Sequence, residues 1–222
     1  MATGTRELTF LLAQPERRLL RAIAAGLPRW ATSDRLTLLG VLGAVATGAA
    51  YALTAFDARW LWAASGALAL NWFGDSLDGT LARVRHTERP RYGYYLDHLV
   101  DAFSTAVVGV GIGLSPFVEL EVALLLVVAY LALTINVYLE TAVFGVFRLA
   151  YGRIGPTEAR IALIVLNTLL LVSATQGGGT TQAVGLSNAV FLVLVGAMGV
   201  TLVARFIGNL NHLARLEPLE RP

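Results

Sequence analysis

Residues 60–114 read WLWAASGALALNWFGDSLDGTLARVRHTERPRYGYYLDHLVDAFSTAVVGVGIGL. Two apolar runs, 60–82 and 93–114, flank a short Arg-rich connection. Each run has the roughly 20 residues that a helix needs to cross about 30 Å of hydrocarbon. The stretch is therefore expected to form two antiparallel, neighbouring membrane helices joined at one bilayer face. Its acids set it apart, because Asp75 and Asp78 end the first run and Asp97 and Asp101 open the second. An aspartate at mid-helix costs about 2.5–3.5 kcal/mol on insertion scales, so four near one face need strong compensation. A bound cation is the simplest.

Outward from this pair the apolar pattern continues. Segments 36–54, 120–147, 158–175 and 184–208 are also long enough to span, which predicts an all-α, polytopic membrane protein with six transmembrane helices. Composition agrees, since 56% of the 222 residues are hydrophobic and only 14% charged, too apolar for an ordinary soluble domain. The absence of cysteine excludes disulfides, thiolate metal sites and cysteine nucleophiles. All 17 basic side chains are arginines. Arg83, Arg85, Arg89, Arg91, Arg148, Arg153 and Arg160 share one set of connections, against Arg59 on the other. By the positive-inside rule both termini and the acids face the cytoplasm, at the inner membrane of the cell.

Residues 1–33 lack the unbroken apolar core of a cleaved leader. From Pro15, Leu19, Leu20, Ile23, Ala24 and Leu27 recur at helical spacing against arginines. This pattern predicts an N-terminal amphipathic interfacial helix on an anionic lipid surface, with packing on protein as the alternative. The chain divides accordingly into an interfacial segment, 1–33, a six-helix membrane domain, 34–212, and a short cytoplasmic tail, 213–222.

Helical geometry groups the acids. Asp75, Asp78, Gly79 and Ala82 fall at i, i+3, i+4 and i+7, and Gly93, Asp97 and Asp101 at i, i+4 and i+8, each set on one face. Four carboxylates can then meet at a common point, and an all-oxygen set favours Mg²⁺ or Mn²⁺ over zinc. The small residues beside them leave room for a bulky ligand against the backbone.

The pattern D-x2-D-G-x2-A-R, a nine-residue spacer, then G-x3-D-x3-D, from Asp75 to Asp101, resembles the signature of the CDP-alcohol phosphatidyltransferase family, and all eight fixed positions are present. The resemblance implies one or two divalent cations held by Asp75, Asp78, Asp97 and Asp101, with Asp101 also the catalytic base. It implies donor-nucleotide contacts from Asp78, Gly79, Ala82, Arg83 and Gly93, and a homodimer. The expected reaction moves a phosphatidyl-type group from a CDP-linked lipid, such as CDP-diacylglycerol, to a polar alcohol with release of CMP. The alternative is a small CDP-alcohol donor with a lipid alcohol acceptor. The chain departs from the family at Thr32-Ser33-Asp34-Arg35-Leu36-Thr37, where members often carry a Pro-Asn pair.

Farther on, YGRIGPTEAR, residues 151–160, is similar to a GPTE-type connection of some members. Arg148, Arg153 and Arg160, with Glu158 and Arg205, are candidates to read a phosphorylated acceptor, while Pro156, Thr157 and Glu158 also make an ordinary helix start. His98 follows Asp97 by one residue and should point about 100° away, towards packing or lipid. Glu140 inside an apolar span calls for a partner or a cavity. Gly109, Gly111, Gly113 and Gly196 suit close helix packing, and Tyr92, Tyr94 and Tyr95 an aromatic belt. Membrane lipids are the expected surroundings. No nucleic-acid partner is expected, because the arginines are scattered over loops.

A divalent-cation transporter is the rival from another class. The acids lie near one face rather than the midplane, and no inverted repeat is apparent, which weighs against it.

Overall fold

The computed structural model describes residues 12–144, 155–176 and 180–218, and every element in it is helical. In chain order these are α1 (Ala13–Gly26), α2 (Ser33–Leu53), α3 (Trp60–Val84), α4 (Pro90–Gly113), α5 (Leu120–Phe144), α6 (Pro156–Thr175) and α7 (Thr180–Leu216). Expected site residues Arg148 and Arg153 lie outside the described residues.

Five helices are long and apolar enough to cross a membrane: α2, α4, α5, α6 and Val184–Leu216 of α7. They mark an integral membrane protein. α3 has the length, with 25 residues, but not the apolarity. By composition the spans therefore number five rather than the expected six. The reason is shielding: α3 packs on α2, α6 and α1, and no residue from Asn71 to Ala82 is exposed. A helix walled in by protein can carry polar side chains that a lipid-facing one cannot.

α2 is the element on which the others are gauged. Gly40 and Gly43 press on α3, where a Cβ on Gly43 would lie 2.5 Å from Asn71 N and one on Gly74 2.3 Å from Gly40 N. Higher up, a Cβ on Gly111 of α4 would lie 2.4 Å from the Cα of Gly48. Backbones this close tolerate only glycine. α3 and α4 both seat on α2, and they approach each other only sparsely. The acid-bearing helices are thus not the closely packed neighbours their short connection suggested; α2 stands between their backbones. α5 packs on α4 and α7.

Away from the acids the bundle is closed by Tyr51, Leu61, Ile112, Phe117, Val122, Leu170 and Phe191. Asn167 stitches this end, accepting from Tyr51 Oη (2.9 Å) and donating to Ser65 Oγ (3.1 Å).

At the opposite, Arg-rich end, α1 lies against protein. Leu20 and Ala24 are buried with Leu36, Leu77 and Leu81, while Arg17, Arg18 and Arg21 stay exposed. Glu16 accepts from Trp72 Nε1 at 2.8 Å and from Thr157 Oγ1 at 2.6 Å. Arg85 caps the α1–α2 connection by donating to the carbonyls of Leu27, Pro28 and Ala31. The packed alternative for the amphipathic segment is the one observed.

Candidate active site

Asp75 and Asp78 sit on the shielded stretch of α3. Asp78 is held from α2: Thr37 Oγ1 donates to its Oδ2 at 2.6 Å, Ser33 Oγ donates to its backbone carbonyl at 2.8 Å, and the Gly79 N–H donates to its Oδ1. These are the residues standing where the family's Pro-Asn pair is missing, and sequence reasoning left them without a role. Their signal was the spacing Ser33 and Thr37, one helical turn apart at the start of α2. Asp75 is paired with Arg160 of α6, whose Nη2 lies 2.7 Å from Oδ2. Arg160 Nε also donates to Asn71 Oδ1 at 3.0 Å, and Asn71 Nδ2 to the Gly40 carbonyl at 2.9 Å. Asn71 was not foreseen, because only the fold brings α2, α3 and α6 together there.

On α4, Asp97, His98 and Asp101 each offer a ligand atom within 4.8 Å of the others. Asp75 and Asp78 stand outside this close group, since α2 holds α3 and α4 apart and each has a partner of its own. His98 stands nearer the acids than its place one residue after Asp97 implied. Its ring stacks on Tyr138 (centroids 4.5 Å apart, 17° between planes), meets Tyr94 edge-on at 4.1 Å, and brings Nδ1 to 3.5 Å from Asp97 Oδ2. The expectation of packing holds; the separation from the acids does not.

The glycines fall into two kinds. Those of α2 and its partners are pressed by backbone. A Cβ on Gly93 would meet nothing within 4 Å, and one on Gly79 only the Arg83 guanidinium, at 3.4 Å. Gly93 thus borders space that the described residues do not fill, and Gly79 borders only a long arginine side chain. Arg83 leans over Gly79, bonds Thr80 Oγ1 at 3.0 Å, and lines a cleft of about 230 Å³ with Arg21, Thr80 and Val84.

The other candidates have structural partners. Glu158 opens α6, accepting from the N–H groups of Gly155 (3.0 Å) and Leu12 (2.9 Å). Glu140 is buried between α5 and α7, where Arg205 Nη2 (2.7 Å), Asn209 Nδ2 and Asn136 Nδ2 (both 2.6 Å) donate to it. Gly109, Gly111 and Gly113 are packing glycines, whereas Gly196 faces nothing within 4 Å. Tyr92 carries the Arg89 guanidinium 3.8 Å over its ring.

Two carboxylates and an imidazole at ligand spacing on α4, two more carboxylates on α3, and an arginine beside a glycine suit a divalent cation carrying a phosphorylated ligand. The chain, with this helical bundle and these four acids, belongs to the CDP-alcohol phosphatidyltransferase family, which it matches over residues 30–207. Among relatives, it is 38% identical over 85 residues to a phosphatidylinositol phosphate synthase of Cutibacterium acnes (strain DSM 16379 / KPA171202). That alignment spans 37% of this chain and 38% of the relative's length.

Proposed function

We propose that the protein is a metal-dependent transferase that moves a phosphatidyl group from a CDP-linked lipid to a polar alcohol and releases CMP, in phospholipid synthesis. What carries the reading is the set of four aspartates, two on α3 and two on α4, with Asp97 and Asp101 at metal-ligand spacing together with His98. Asp97 and Asp101, with Asp75 and Asp78 of α3, would hold one or two Mg²⁺ or Mn²⁺ ions. Such ions neutralise the donor's diphosphate.

The chain's own residues account for the rest. Gly79, Ala82 and Gly93 let the nucleotide lie against backbone, and Arg83 and Asp78 meet it from α3. Asp101 takes the proton as the alcohol oxygen bonds to the lipid-bearing phosphorus, while the bond from that phosphorus to the bridging oxygen breaks and CMP departs. Thr37 and the Gly79 N–H fix the Asp78 carboxylate, and Ser33 holds its backbone carbonyl, so that little reorganisation is needed during reaction.

Arg160, paired with Asp75 at 2.7 Å, is the arginine of α6 that meets an acceptor phosphate in this reading. A phosphorylated alcohol is the favoured acceptor, and the relative's name, which describes a phosphatidyl group joined to a phosphorylated inositol, supports that class. Arg148 and Arg153 complete the acceptor side in this reading. Of the described arginines, Arg59 alone caps a helix at the end away from the acids. The site and both termini accordingly face the cytoplasm. A homodimer belongs to the same proposal.

The test is CMP release by purified protein with Mg²⁺ and CDP-diacylglycerol, over a panel of phosphorylated and plain alcohols. Release with a phosphorylated alcohol is expected. No release with any of them, but release from a small CDP-alcohol with diacylglycerol, would reverse the donor and acceptor roles. Ion flux in liposomes without CMP release from either donor would put a transporter in the enzyme's place.

A further inference from the structure

We propose that His98 is a metal ligand and gives the site a preference for Mn²⁺ over Mg²⁺. The inference rests on the metal-dependent reading above and adds to it a nitrogen donor that an aspartate-only site lacks. Three observations meet at this residue. Its imidazole shares one ligand group with Asp97 and Asp101, all within 4.8 Å. Its Nδ1 lies 3.5 Å from Asp97 Oδ2, close to the spacing of about 3 Å between adjacent donors on one ion whose bonds are about 2.1 Å long.

The third observation is that the ring is held rigidly. Tyr138 of α5 stacks on one face and Tyr94 of α4 meets it edge-on, and the side chain is only 15% exposed. Packing alone would be served by any flat aromatic ring. An imidazole in that slot adds a nitrogen beside two carboxylates.

The consequence is selectivity. Mg²⁺ is a hard ion that holds oxygen ligands and water, whereas imidazole suits transition-metal ions. A mixed oxygen and nitrogen donor set therefore raises affinity for Mn²⁺ while adding little for Mg²⁺.

Binding can be read without turnover. Purified protein is titrated with Mn²⁺ by electron paramagnetic resonance, with Mg²⁺ as competitor, for the wild type, His98→Phe and Asp101→Asn. His98→Phe keeps an aromatic ring between the tyrosines and removes the donor. The expected result is a drop of about tenfold or more in Mn²⁺ affinity, the scale on which metal sites respond to a lost partner, with little change for Mg²⁺. Unchanged Mn²⁺-to-Mg²⁺ preference in His98→Phe, alongside lost binding in Asp101→Asn, overturns the imidazole assignment and leaves the metal-dependent reading intact. Unchanged binding in both overturns the two together. Pulsed spectra of Mn²⁺ on the wild type give a check that needs no variant: nitrogen-14 modulation from a bound imidazole is expected, and its absence rejects the proposal.

Discussion

Asp78 accepts hydrogen bonds at both carboxylate oxygens, one from Thr37 and one from the Gly79 N–H, so its orientation is set before any ligand arrives. Thr37→Val removes the first donor at nearly constant volume. It should lower kcat/KM about tenfold, the effect of one lost hydrogen bond of roughly 1.5 kcal/mol to a charged group, with the thermal midpoint in detergent little changed. Asp78→Asn and Asp101→Asn should each reduce turnover by at least about a hundredfold while the helices stay folded. CMP release read beside circular dichroism checks this, and near-wild-type turnover in both variants would sink the assignment. The signature acids were legible because their helical spacing is independent of tertiary structure. Ser33, Thr37 and Asn71 were not, since each acts only through a helix distant in sequence. His98 was misplaced by a rule about where a Cβ points; the stack on Tyr138 of α5 fixes where its ring lies.

The contrast between pressed and open glycines makes a prediction at the level of helices. Gly74→Val drives a branched side chain into the Gly40 backbone, where even a Cβ would lie at 2.3 Å. It should cost about 1–3 kcal/mol or more, seen as a lower unfolding temperature. Gly93→Ala meets nothing and should leave that temperature unchanged while raising KM for the CDP-lipid; an unchanged KM would remove Gly93 from the donor site. The α5–α7 pair depends on Glu140. Glu140→Ala removes the acceptor shared by Arg205, Asn209 and Asn136 at a part-buried site and should destabilise by about 1–3 kcal/mol, measurable by thermal unfolding in detergent. The hydrophobic runs made the helices readable. α3 was the exception in kind, because its polar face is allowed by neighbours that composition does not reveal.

Taken whole, the molecule is asymmetric along the membrane normal, with a dry, closed end around Phe117 and Leu170 and an arginine-rich end that carries the acids. The chain contains no cysteine, so single cysteines report sidedness cleanly. An impermeant maleimide should label Arg59→Cys in intact cells and Arg91→Cys only after the membrane is opened; the reverse pattern would invert the topology. Fold class and the placing of the four acids at the arginine-rich end could be read from the chain alone, but the spacing between α3 and α4 could not, because it depends on glycine contacts with a third helix. That dependence has its own consequence. Since α3 and α4 are both referenced to α2, the two acid-bearing helices ride like the jaws of a caliper on one beam, their spacing set where backbone touches backbone. Neither jaw can shift without disturbing a glycine contact on the beam.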